Sequence, residues 1–213
     1  LWCEETRKCL LIDPVLEQVD RDLKLIEKLE LSLYYVVETH VHADHITGSH
    51  IIRSKTRAKI VYGSKTGVKG ADIYLDDDQI LSLGNHNIKA MHTPGHTSGC
   101  TSYYIEGYIF TGDTLFIDGT GRTDFQGGSS SDTYDSVTQK IFKYPDHTVV
   151  YPGHNYNGFT CSTIAEEKKS NPNVGLHITK EDFILNESKK ERPYPKRFDV
   201  AVPANMRCGK IEN

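Results

Sequence analysis

The chain has 213 residues, a net charge of −4 and 37% hydrophobic residues, which is enough to bury a full core and fits one soluble globular domain over residues 1–213. Lys and Arg are scattered among acidic neighbours, leaving no basic stripe for nucleic acid, and no apolar run approaches the roughly 18 residues of a membrane span. The five cysteines (Cys3, Cys9, Cys100, Cys161, Cys208) are odd in number and lack metal-finger spacing, which points to free thiols in a reducing compartment.

The chain opens on Leu1 in what reads as mid-strand, so a preceding leader or first strand is expected. Leu1–Cys3 and Cys9–Ile12 read as short strands joined by a polar turn, ended by Asp13-Pro14. Apolar residues at three- and four-residue spacing from Val15 to Leu31 predict an amphipathic helix. A buried strand follows at Leu33–Val37, then a helix from Ile46 to Ser54 and a strand at Ala58–Tyr62. Strand–helix–strand alternation of this kind predicts an α/β layered fold.

The middle of the chain changes character. Ile73–Leu75, Gln79–Leu83, Ile88–His92, Thr101–Ile105 and Tyr108–Thr111 read as short strands, with Glu106-Gly107 a two-residue hairpin turn. Asp132–Tyr144 reads as a helix capped by Asp132, and Thr148–Tyr151 as a last buried strand. Helices at Thr163–Ser170 and Thr179–Lys189 lead into a tail that reads as irregular and Pro-rich.

Chemistry concentrates in Thr39-His40-Val41-His42-Ala43-Asp44-His45, directly after the Leu33–Val37 strand. Residues two apart in extended backbone point to one side, so His40 and His42 can aim at one point. Imidazole and carboxylate ligands suit zinc, iron or manganese. Three later loops, each after a predicted strand, add His96 in Thr93-Pro94-Gly95-His96, Asp113 in Thr111-Gly112-Asp113, and His154 in Tyr151-Pro152-Gly153-His154. Ligands on loops at one edge of a rigid sheet are a common way to build a metal site. His50, His86, His92, His147 and His177 lack this context and read as surface or core residues.

The set His40, His42, Asp44, His45, His96, Asp113 and His154 resembles the metallo-β-lactamase superfamily, which implies a four-layer αββα sandwich. Within it, Gly121-Arg122-Thr123-Asp124-Phe125-Gln126 and Pro203-Ala204-Asn205-Met206-Arg207-Cys208-Gly209 resemble the persulfide dioxygenases, the sulfur dioxygenases of the ethylmalonic encephalopathy protein type. Ala43-Asp44-His45-Ile46-Thr47-Gly48-Ser49 is similar to that family as well. The resemblance implies one Fe(II) per chain, held by His40, His96 and Asp113, and oxidation of glutathione persulfide by O₂ to sulfite and glutathione.

On the same resemblance His42, Asp44, His45 and His154 would support the ligands through hydrogen bonds, and Tyr156 would stand near the open face of the metal. Arg122 is the substrate candidate: its guanidinium could pair with a glutathione carboxylate, or instead with Asp124. Asn173 stands where members of the family carry a basic residue. Cys208 reads as buried and inert among apolar neighbours. A homodimer is compatible with the family, and the location implied is mitochondrial in a eukaryote and cytoplasmic in a bacterium. Two rivals stay open: a glyoxalase II-like thioesterase with two metals, disfavoured by the short stretch after His154, and a non-catalytic metal-binding protein.

Overall fold

Helices between consecutive strands let the first part of the chain run its strands in parallel. In the computed structural model, which describes residues 1–155 and 158–211, β1 (Lys8–Ile12), β2 (Ser32–Val37), β3 (Lys59–Gly63) and β4 (Ile73–Leu75) form a parallel sheet in that order. Leu1–Cys3 does not form a strand of its own; it contributes a single bridge, Trp2 to Cys9. The hairpin-rich middle gives a second sheet from β5 (Ile80–Leu83), β6 (His86–His92), β7 (Thr101–Ile105), β8 (Tyr108–Gly112), β9 (Val149–Pro152) and β10 (Ser162–Thr163), ordered β10-β9-β8-β7-β6-β5. Only β8 and β9 pair in parallel there. At the β7–β8 turn Glu106 and Gly107 both take positive φ, as a two-residue hairpin requires.

Three apolar layers hold four structural layers together. Between the sheets, Leu10, Val37 and Val61 of the first meet Ile88, Ala90 and Tyr103 of the second. Outside the first sheet lie α1 (Val19–Lys28) and α2 (Ser49–Thr56), which bury Val19 and Ile52 against Val36. Outside the second lie α3 (Ser130–Asp135), α4 (Ile164–Ser170) and α5 (Lys180–Ser188), which cover Met91, Ile109 and Val150 together with Val137, Ile164 and Phe183. The fold is therefore an αββα sandwich, the layering that the metallo-β-lactamase resemblance implies. No helix among the described residues is long and apolar enough to cross a membrane.

Several element boundaries differ from the sequence reading. The helix expected from Ile46 begins at Ser49, because the backbone at 46–48 is held by other partners: Leu16 N donates to Ile46 O, and Thr47 N donates to Asn205 Oδ1 at 2.9 Å. The helix expected over 132–144 is capped by Ser129, whose Oγ accepts from Asp132 N, and it widens into a π turn over 136–140. The tail holds α6 (Phe198–Asn205) with Pro203 inside it. A proline there removes one helical hydrogen bond, and burial of Ala201, Ala204 and Asn205 compensates for it.

The layering brings one set of strand ends together. β1 ends beside Asp13, β2 beside Thr39, β6 before His96, β8 before Asp113 and β9 before His154. Thr101 N donates to Thr39 O at 2.8 Å and Tyr103 Oη to Glu38 O at 2.9 Å, which pins the two sheets to each other at this edge.

Candidate metal centre

His40, His96 and Asp113 come from three of these loops and place one donor atom each within 4.8 Å of the others. Asp113 Oδ2 lies 3.5 Å from His96 Nε2 and 3.9 Å from His40 Nε2. In both histidines the other ring nitrogen is engaged: His96 Nδ1 lies 2.7 Å from Arg122 O, and His40 Nδ1 lies 2.9 Å from Thr39 Oγ1. The carbonyl can only accept, so His96 carries its proton on Nδ1 and presents a lone pair at Nε2. Burial, then the neighbouring His42, His96 and His154, push the His40 pKa well down and keep it neutral. Asp113 Oδ1 is buried without a hydrogen-bond partner, an expense that a bound cation would remove. Donor set, tautomer and orphaned oxygen all fit a metal.

Close approach of backbone makes this convergence possible. Gly112 has φ +51°, and a Cβ there would fall 2.4 Å from Thr39 Oγ1. Only glycine lets the end of β8 lie against the histidine loop and bring Asp113 to His40.

The four expected supporting residues divide. His154 Nε2 lies 3.8 Å from Asp113 Oδ2 and 3.6 Å from Asp44 Oδ2, beside the triad. His42, Asp44 and His45 form a second group whose donor atoms also lie within 4.8 Å of one another. Burial opposes ionisation of Asp44, but His45 and then His42 and His154 hold its carboxyl well below the usual range. His42 Nε2 points the other way, 3.1 Å from Asp13 Oδ1 and 3.4 Å from Glu38 Oε2. Burial would lower the His42 pKa; Asp13 and Glu38 outweigh it and raise it well above the ordinary value.

Asp13 and Glu38 are residues that sequence reasoning missed. Thr39 donates to Asp13 through both its amide and its hydroxyl at 2.7 Å. Glu38 is fully buried and accepts from the hydroxyls of Thr47 and Ser49. A glutamate between an apolar strand and a histidine loop was the available signal; for Asp13, read as a strand end, there was none. Asn205 was also missed as a site residue. Its Nδ2 donates to His42 O and His45 O, both at 2.8 Å, and its Oδ1 accepts from Thr47 N.

Arg122 takes the alternative pairing. Nε and Nη2 bind the Asp124 carboxylate at 2.7 and 2.8 Å, Nη1 reaches Pro193 O at 3.0 Å, and the guanidinium lies over Phe125. Asn173 donates to Thr120 Oγ1. Cys208 is buried, as expected, and burial pushes its thiol up to about 11. Tyr156 lies outside the described residues. Two cavities meet at Asp44, Asp113 and His154: a cleft of about 570 Å³ walled by His96, Phe116, Gly121, Arg122 and Arg192, and one of about 450 Å³ that reaches Asp13 and His42.

The description of the metallo-beta-lactamase superfamily matches residues 3–154, and the chain belongs to that superfamily. Over 207 residues it is 44% identical to human "Persulfide dioxygenase ETHE1, mitochondrial", spanning 96% of this chain and 81% of that protein. The crystal structure of ETHE1 from Myxococcus xanthus superimposes with a TM-score of 0.96 at 47% identity, covering 99% of this chain and 92% of that one. Within the superfamily the protein is thus a member of the persulfide dioxygenase family of enzymes. A probable hydroxyacylglutathione hydrolase of Schizosaccharomyces pombe is more distant, 35% identical over 162 residues, 73% of this chain and 62% of that protein.

Proposed function

We propose that the protein converts glutathione persulfide, O₂ and water into glutathione and sulfite, using one Fe(II) held by His40, His96 and Asp113. The observation that carries this reading is the orientation of the triad: two imidazoles with occupied Nδ1 atoms turn Nε2 towards one oxygen of a buried aspartate. Iron(II) in a two-His-one-carboxylate set supplies O₂ activation and keeps positions open for substrate. The chain's own part is to hold the set rigid and to seat the thiol in the adjoining cleft. Arg122 uses three of its five N–H bonds on Asp124 and Pro193, which leaves two for a glutathione carboxylate at the cleft wall. His42, with Nε2 between Asp13 Oδ1 and Glu38 Oε2, acts as a brace for the loop in this reading. The location in this reading is mitochondrial in a eukaryote or cytoplasmic in a bacterium.

The second reading, a two-metal thioesterase, draws on the His42–Asp44–His45 group and on the likeness to the fission-yeast hydrolase. Metal stoichiometry of protein prepared without oxygen separates the two. We expect one iron per chain, loss of iron in Asp113→Ala and His96→Ala, and near-full iron with activity down about 10–100-fold in His154→Ala. O₂ should be consumed with glutathione persulfide. Two metals per chain falling to one in His154→Ala, with hydrolysis of S-lactoylglutathione and no O₂ uptake, would establish the thioesterase instead.

A further inference from the structure

At the edge of the sandwich away from the histidine loops, the turn after Cys3 meets the β5–β6 hairpin. Cys3, Glu5 and His86 each place a donor atom within 4.8 Å of the other two, with Cys3 Sγ 3.3 Å from Glu5 Oε2. β1 runs from this turn to Asp13, and β6 runs from His86 towards His96, so the full length of both strands separates this group from the metal centre. The donors also differ in kind. The His40–His96–Asp113 set offers nitrogen and oxygen only, whereas this one adds a thiol.

The surroundings of each donor are arranged. His86 Nδ1 lies 2.8 Å from Glu106 Oε1 on the neighbouring hairpin, which fixes the ring and leaves Nε2 for another partner. A carboxylate behind an imidazole is the usual support of a metal-binding histidine. Gly84, at φ +60°, brings the hairpin turn onto the thiol: a Cβ there would fall 2.5 Å from Cys3 Sγ. The Thr6 hydroxyl and then the Asn85 amide hold the Cys3 pKa below its ordinary value. Cys3 is fully buried, while Glu5 is exposed and His86 half-buried. A cation would thus have protein sulfur beneath it and water available from outside.

We propose that Cys3, Glu5 and His86 form a second metal site, oriented by Glu106, for a divalent cation of the zinc class. Sulfur, nitrogen and carboxylate oxygen with one water give the four-coordinate set that zinc favours. Binding would exchange the thiol proton, released to solvent, for the metal. The cation would tie the segment that feeds the first sheet to a hairpin of the second, because Cys3 and Glu5 precede β1 and His86 begins β6. A clamp of this kind couples metal binding to folding. The bland alternative is a hydrogen-bonded surface cluster with no affinity for cations.

Cobalt(II) distinguishes the two, since a cobalt–thiolate bond gives a charge-transfer band that nitrogen and oxygen ligands do not. Iron-loaded protein titrated with Co(II) without oxygen should take up one further equivalent and develop the band. Cys3→Ser should lose both, Cys161→Ser should keep both, and His86→Gln should weaken uptake about tenfold or more while persulfide oxidation is unchanged. Absence of the band at saturating Co(II), or a band that survives Cys3→Ser, would overturn the proposal. Should Cys3→Ser fail to fold, His86→Gln decides: unaltered cobalt affinity overturns the site, and weakened affinity supports it.

Discussion

Arg122 serves two walls at once. Its guanidinium ties Asp124 and Pro193 together while its carbonyl orients His96. Arg122→Ala should cost about 1 kcal/mol of stability for the partly exposed pair and, on the proposed role in substrate binding, raise KM about tenfold or more. Asp124→Asn provides the control: it weakens the pair and should leave KM near the parent value. Equal KM changes in both variants would make Arg122 a purely structural residue. The thiols give a second prediction at this scale. Burial pushes Cys100 up to about 12 and Cys208 up to about 11, while Cys161 is exposed. Thiolate is the reactive form, so a neutral-pH alkylating reagent followed by peptide mass spectrometry should mark Cys161 early and those two only after unfolding. Early labelling of Cys208 would contradict its buried placement. Residue types and short spacing made the histidine loop legible in the sequence. Asp13 was not legible, because its partner Thr39 lies 26 positions away and no local pattern marks the pair.

The helix α6 shows how an element acts as a latch. Three hydrogen bonds from the single side chain of Asn205 hold the backbone of residues 42–47, and Ala201 and Ala204 pack on Ile46. Asn205→Ala would leave one buried carbonyl, one partly buried carbonyl and an amide unpaired, at a cost of about 2–4 kcal/mol in denaturant unfolding, with weaker metal retention as the loop loosens. Asn205→Asp keeps an acceptor for Thr47 N but loses both donors, so it should fall short of the parent as well. Parent-like stability in both variants would show that apolar packing alone seats the helix. Proline made this element unreadable beforehand: Pro203 argues against a helix by its local chemistry, and only the surface beneath α6 reverses that. The opposite holds for α4, where Thr163 and Glu166 form a reciprocal cap that four residues of sequence already specify.

At the scale of the molecule, the layers were legible and the order of strands within them was not. Period-two patterning and helical spacing are local, whereas the placement of β9 beside β8 depends on contacts across about forty positions. The metal bears on the same scale, because a ligand that binds only the folded state adds to its stability. Iron at about a hundred times its dissociation constant should contribute about 2.7 kcal/mol, so chelation should lower the unfolding temperature and added iron(II) should restore it. Asp113→Ala should unfold at one temperature with or without iron; an iron-dependent shift in that variant would place the metal elsewhere.

The latch on the histidine loop also sets a timetable. Asn205 binds the carbonyls of residues 163 and 160 positions earlier, and Pro193 meets Arg122 from 71 positions later. During synthesis the loop that carries His40 emerges early, and the side chain that fastens it emerges more than a hundred and fifty residues afterwards. Contacts of such long separation form slowly. A chain still being synthesised therefore exposes the histidine loop before anything can fasten it, and the loop is locked only once Asn205 has emerged and α6 can dock.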